Sequence, residues 1–191
     1  MSKLETNTID NISGSSTLTI GDSNTSTITL KSGATLTNFP TNTPAFSAYV
    51  NSDQTLSDNT DTKGDYDTEA YDTDSAYDTS NKRFTVPSGK GGKYFFYARG
   101  RFYDATDISQ YVIAIRKNNS EIAKRYIYSG AVGTKIFNSI NYYSYDISCN
   151  VVLSASDYIE VFVKADETGG GTVTYQGGTV HSEFSGYKII E

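Results

Sequence analysis

The stretch "GKYFFYARGRF", Gly92 to Phe102, decides the fold. Tyr94, Phe96, Ala98, Gly100 and Phe102 fall on one face of an extended chain, and Lys93, Phe95, Tyr97, Arg99 and Arg101 on the other. A period of two is that of a β-strand, whose successive side chains point to opposite sides. Working outward, the same alternation returns in "DYIEVFVK", where Ile159, Val161 and Val163 oppose Tyr158, Glu160, Phe162 and Lys164. "AFSAYV", "RFTV", "QYVIAIRK", "EIAKRYIY", "NSINYYSYDISCNVVL" and "HSEFSGYKII" supply further strands at sandwich spacing. No segment carries a helical period, so the expected class is an all-β antiparallel sandwich.

Composition agrees. Only 37% of the 191 residues are hydrophobic, but 16 are Tyr and 9 are Phe. Each aromatic buries roughly 150–250 Å², so this set is able to fill a core. A net charge of −6 argues against nucleic acid, because phosphate binding needs clustered Lys and Arg. No stretch is apolar and long enough to span a bilayer as a helix. The N-terminus, "MSKLETNTID", lacks the apolar core of a signal peptide, which leads us to expect assembly in a cytoplasm. Cys149 is alone, excludes an intrachain disulfide, and reads as a small buried hydrophobe.

Residues 1–43 differ from the rest. They are rich in Thr, Ser, Asn and Gly, with Ile9, Ile12, Leu18, Ile20, Ile28 and Leu30 as isolated apolar points. "TLTIGD", "TITLKSG" and "TLTNF" are related short units of alternating Thr and aliphatic residues. Strands so poor in apolar side chains cannot stand alone and need one another or a partner. The other reading is a disordered low-complexity tail. "PTNTP", Pro40 to Pro44, marks the junction with a second domain, 44–191.

Six phrases of that domain, in order, resemble the globular head of complement component 1q, which shares its jelly roll with tumour necrosis factor. They are "PAFSAYVNS", "YDTDSAYDTSNKRFTVP", "GKYFFYARGRF", "IAIRKNNSEIA", "NVVLSASDYIEVFVK" and "SEFSGYKI". The family usually has Gly where this chain has Asn119, and again where it has Ser156, both turn positions. The resemblance implies a ten-stranded jelly roll that forms a tight homotrimer. It also implies that Tyr94 and Phe96 lie at or near the three-fold axis, with Phe184 and Tyr187 in the core or interface. Between Asp53 and Asp78, eight Asp and Glu69 face only Lys63. Clustered carboxylates suit a hard cation, and relatives often hold calcium in such loops, which makes Asp65, Asp67, Asp72 and Asp74 candidate calcium ligands. A solvated acidic loop is the alternative, since the DxDxDG pattern is missing. The third "YDT" enters a strand, and the first two are read as loop.

No catalytic motif emerges. His181 is the single histidine, no nucleophilic serine motif is present, and no cofactor is required by any pattern. The expected function is therefore that of a virion surface protein. The N-terminal repeats resemble those of bacteriophage fibre and head-decoration proteins, and would attach a trimeric short fibre or capsid decoration to capsid or tail proteins. Its knob would then be displayed for contact with a host surface, where Tyr142, Tyr143 and Tyr145 are candidate platforms for a glycan or protein. A glycan-binding tail-fibre tip and, further off, a polysaccharide depolymerase are the competing readings.

Overall fold

The structure is a computed structural model, and it describes residues 42–103, 108–128 and 142–190, together with Ser32. Thirteen strands occur among the described residues. They are β1 (Ala45–Tyr49), β2 (Gln54–Ser57), β3 (Thr62–Lys63), β4 (Thr68–Asp72), β5 (Tyr77–Asp78), β6 (Arg83–Thr85) and β7 (Gly92–Tyr103). There follow β8 (Ile108–Lys117), β9 (Ser120–Tyr128), β10 (Tyr142–Leu153), β11 (Tyr158–Glu167), β12 (Thr172–Tyr175) and β13 (Glu183–Lys188). No helix occurs among the described residues.

The strands form two antiparallel sheets. Sheet 1 runs β2-β12-β7-β13-β1-β4, with β10 also paired to β7, and sheet 2 runs β5-β6-β11-β8-β9, with β3 also on β11. Strand β7 organises sheet 1, because β10 pairs with it from Tyr142↔Tyr103 to Leu153↔Gly92 while β13 and β12 share its other edge. Strands distant in sequence lie side by side, as a jelly roll requires.

Between the sheets lies an aromatic core. Phe46 stacks on Tyr77 at 4.8 Å and on Phe84 at 5.1 Å, and meets Phe184 edge-on at 4.9 Å. Phe102 of sheet 1 stacks on Tyr111 of sheet 2 at 4.5 Å. Each such ring fully removed from water contributes about 1.5–3 kcal/mol. The alternation in Gly92–Tyr103 resolves cleanly: Tyr94, Phe96, Ala98 and Phe102 are buried, and Phe95, Tyr97, Arg99 and Arg101 face outward. The same holds for Ile159, Val161 and Val163 of β11.

The acidic segment is built into this core. Tyr66 of the first "YDT" is buried, and its hydroxyl donates to the Arg99 carbonyl at 3.1 Å and lies 2.7 Å from the Tyr175 hydroxyl. Tyr77 of the third donates its hydroxyl to the Tyr66 carbonyl at 2.7 Å. Only the second, with Tyr71, points to solvent, from β4, which pairs with β1. The expected loop is thus a strand between two tyrosine anchors. Gly100 makes room for the buried Tyr175 hydroxyl, where a Cβ would clash.

Several turns carry positive φ on residues other than glycine, Asn59, Ser75 and Lys82 among them, and two bear on the sequence reading. Asn118 and Asn119 (φ 48° and 69°) close the two-residue β8–β9 hairpin, and Ser156 (φ 71°) stands in the turn before β11. Such values at both central hairpin positions match the twist of the flanking strands.

Candidate functional site

Sheet 1 turns an outward face with two aligned cross-strand rows away from the core. Register places Ala45, Tyr187, Phe95 and Asn150 in one row across β1, β13, β7 and β10. The next row runs Tyr71, Ser47, Ser185, Tyr97 and Ser148. Opposed side chains in such rows touch, and Phe95 meets Tyr187 at 5.4 Å between ring centres. Below them a shallow groove of about 370 Å³ is lined by Lys93, Asn150, Val151, Val152 and Ile189. With Val152, Tyr187 and Ile190 exposed, this end of the face is apolar.

The opposite end is charged and internally matched. Arg99 lies in register between Glu183 and Asp146, with its Nε 3.3 Å from Glu183 Oε2. Asp146 accepts from Arg125 of β9 at 2.8 Å. Arg101 donates Nε to Gln176 at 2.6 Å, and its Nη2 lies 2.9 Å from His181 Nε2. Guanidinium has no lone pair to accept with, so His181 Nε2 is the acceptor and the ring is neutral. Burial first, then Arg101 and Arg99, holds the imidazole below its ordinary value. His181 is a structural acceptor.

The residues expected at the trimer axis fall on the wrong side of the strand. Tyr94 and Phe96 are fully buried within the single chain and have no surface left for another, and Phe184, read as core or interface, is in the core. Tyr94 and Phe96 stack at 5.9 Å within the core. Of the four, only Tyr187 reaches the surface; the aromatics that β7 presents outward are Phe95 and Tyr97. Alternation separates the two faces but does not say which is inner when both carry rings.

The candidate ligand-binding tyrosines also separate. Tyr145 is 2% exposed and packs edge-on against Phe102 at 6.1 Å. Tyr143, partly buried, stacks on Tyr111 at 5.7 Å. Tyr142 is exposed, yet it is stacked on Tyr103 at 4.6 Å and covered by Arg101. Two of the three are therefore core residues rather than platforms. Cys149 faces the same core, and burial pushes its thiol up to about 11, which makes it a poor nucleophile.

The four candidate calcium ligands do not converge. Asp65 pairs with Lys82 at 3.0 Å, Asp67 accepts from the Asn51 amide at 3.0 Å, Asp72 from the Tyr77 amide at 2.8 Å, and Asp74 pairs with Lys90 at 3.3 Å. Each carboxylate is spent on a separate turn or cation. Among the described residues no three acidic, His or Cys side chains are grouped to hold a metal, so the residues present do not fit a ready-made calcium site. Ile9, Ile12, Leu18, Ile20, Ile28 and Leu30, the expected attachment residues, lie outside the described residues.

No protein-family model and no curated protein matches this sequence. Solved structures do resemble its fold. The globular domain of a zebrafish complement 1qA protein aligns with a TM-score of 0.52 at 10% identity, covering 78% of this chain and 98% of that one. The structure of Eiger TNF from S. frugiperda aligns with a TM-score of 0.50 at 13% identity, covering 78% and 94%. At such identities the likeness establishes the fold, a jelly roll of the complement 1q and tumour necrosis factor kind.

Proposed function

We propose that this chain is a self-associating display head: a virion structural protein, forming a trimeric short fibre or capsid decoration on the particle surface. Its jelly-roll knob projects outward, and residues 1–43 attach to capsid or tail proteins. The observation that carries this reading is the outward face of sheet 1. A protomer that leaves Phe95, Tyr97, Tyr71, Tyr187, Val152 and Ile190 in one connected surface gains by covering it with another copy. Cyclic closure of three such copies satisfies each face equally, and three is the number that the family resemblance in the sequence implies. Tyr187, Phe95 and Tyr97 take the interface role that Tyr94, Phe96 and Phe184 cannot.

The attachment role rests on the N-terminal sequence. Its short Thr-aliphatic units offer backbone donors and acceptors but few apolar side chains, which suits strand addition to a partner. Host-surface binding by the knob is a second role of the same displayed head. Deleting residues 1–43 is expected to leave a folded head that no longer co-purifies with particles. Undiminished recovery of the truncated protein on particles would overturn the attachment role.

A further inference from the structure

At the end of sheet 2, where β9 and β11 finish and β8 begins, lies a cavity that shares no lining residue with the proposed self-association face. It measures about 450 Å³ and is lined by Asp58, Ser109, Tyr128, Asp166, Glu167 and the Thr168–Gly170 turn. Ligand sites for small molecules fall at about 300–1,000 Å³. Its wall is the Tyr128 ring, 45% exposed at the end of β9. Tyr126, two residues earlier and therefore on the same face, is 60% exposed. Across the sheet Tyr128 is in register with Gln110, and Gln110 with Asp166, so ring, amide and carboxylate share one row.

The polar lining is ordered before any ligand arrives. Asp58 accepts the Glu167 amide at 2.7 Å, Glu167 accepts the Gly171 amide, and buried Ser109 donates to the Asp166 carbonyl at 3.1 Å. Asp65, Asp74, Asp157 and Glu160 are each paired with Lys or Arg. Asp58, Asp166 and Glu167, by contrast, have no such cation within ion-pair distance among the described residues. They are left as pure acceptors around the exposed Tyr128 ring, with Tyr126 one step further along the same strand face. Among the described residues no metal-holding group forms here.

We infer that this cavity is a binding site for a neutral, hydroxyl-rich saccharide. A pyranose offers an apolar C–H face to stack on Tyr128 and hydroxyl donors for Asp166, Asp58 and Glu167, and Tyr126 is left for a neighbouring sugar of the same glycan chain. Tyrosine presents that stacking area at small entropic cost. The carboxylates, with a chain charge of −6, reject sulfated, sialylated or phosphorylated glycans. This gives the proposed host-surface role a chemical class and a location, but the site does not depend on how sheet 1 self-associates.

The test is an array of neutral hexose and N-acetylhexosamine oligosaccharides, with sulfated and sialylated counterparts, probed with the full-length protein. Neutral members are expected to be retained. Tyr128→Ala should weaken retention about tenfold, and Asp166→Asn should weaken it as well, whereas Val180→Ala, at an exposed position outside the cavity lining and outside the proposed interface, should not. Solution mass and thermal midpoint, measured on every variant, show that the head remains folded. No retention of any neutral member, retention that survives both Tyr128→Ala and Asp166→Asn, or a preference for the anionic set would overturn the assignment. A monomeric mass with saccharide binding intact would sink the self-association reading and leave this site standing.

Discussion

The two outward faces of the sandwich finish their surfaces in different ways. On sheet 2, arginines lie over the rings: Arg83 is 3.8 Å from the Tyr158 ring centre and Arg116 is 3.9 Å from that of Phe162. Buried Glu160 ties the lid down, with Lys63 Nζ at 2.6 Å and Arg83 Nη2 at 2.8 Å. On sheet 1, no arginine among the described residues is stacked over the row of Phe95, Tyr187 and Ala45, and the paired charges gather at the Arg99–Glu183 end, with Lys93 at the groove. A face closed by its own cations is complete as a monomer; a face that leaves aromatic rows in water is the one that the proposed self-association would cover. The part of sheet 2 that lacks a cation lid is the end bearing Tyr126, Tyr128 and Asp166.

The comparison breaks most visibly at sheet 1. Replacing Phe95 and Tyr187 together by Asp places two charges in the row to be covered. The protein should then run in solution as a single folded chain, and an unchanged assembly by light scattering would place the contact elsewhere. On sheet 2 the largest effect should come from Glu160→Ala. Removing the carboxylate strands Lys63 and Arg83 and should cost about 3 kcal/mol in urea unfolding. Glu160→Gln, which keeps an acceptor for both cations, should lose visibly less. Equal losses for the two variants would show that charge alone holds the lid.

Smaller effects should come from the turns. Asn119→Gly and Ser156→Gly each relieve an L-residue held at φ near +70°, and each should stabilise the fold by about 1 kcal/mol, measured by the same unfolding midpoint. The smallest is a pH effect. Lys117, the Ser154 amide and Asn118 hold the Asp157 carboxyl at about 2, below its ordinary 3.8. A depressed acid favours the fold while ionised, so its contribution is complete above 3.8 and is lost as pH falls toward 2. Asp157→Asn should flatten the acid limb of the stability curve in that window, and an unchanged limb would assign acid lability to other groups.

Much of the fold was legible because period-two alternation is a physical record of two faces. Gly92–Tyr103 and Tyr158–Glu167 could be sorted residue by residue before any coordinates. The turn departures were legible as well: the two places where family glycines are replaced, Asn119 and Ser156, are held at positive φ. Three things were not legible. Inner and outer could not be told apart in β7, where aromatics occupy both faces, so Tyr94 and Phe96 were assigned to a surface they do not reach. Tyr66 was hidden among carboxylates, where composition reads as loop although its ring is buried. The row of Tyr128, Gln110 and Asp166 joins the β8–β9 hairpin to β11, distant from it in sequence, and no local pattern announces such a site.

The measurement that tests the central claim most directly is the solution mass of the full-length protein, by light scattering, with and without a calcium chelator. The account predicts three times the chain mass of 20.9 kDa in both conditions, because sheet 1 supplies the contact and the acidic segment is already satisfied by its own amides and lysines. A single-chain mass in both would contradict self-association through this face. A trimer that falls apart on chelation would return the acidic segment to the role of a metal site.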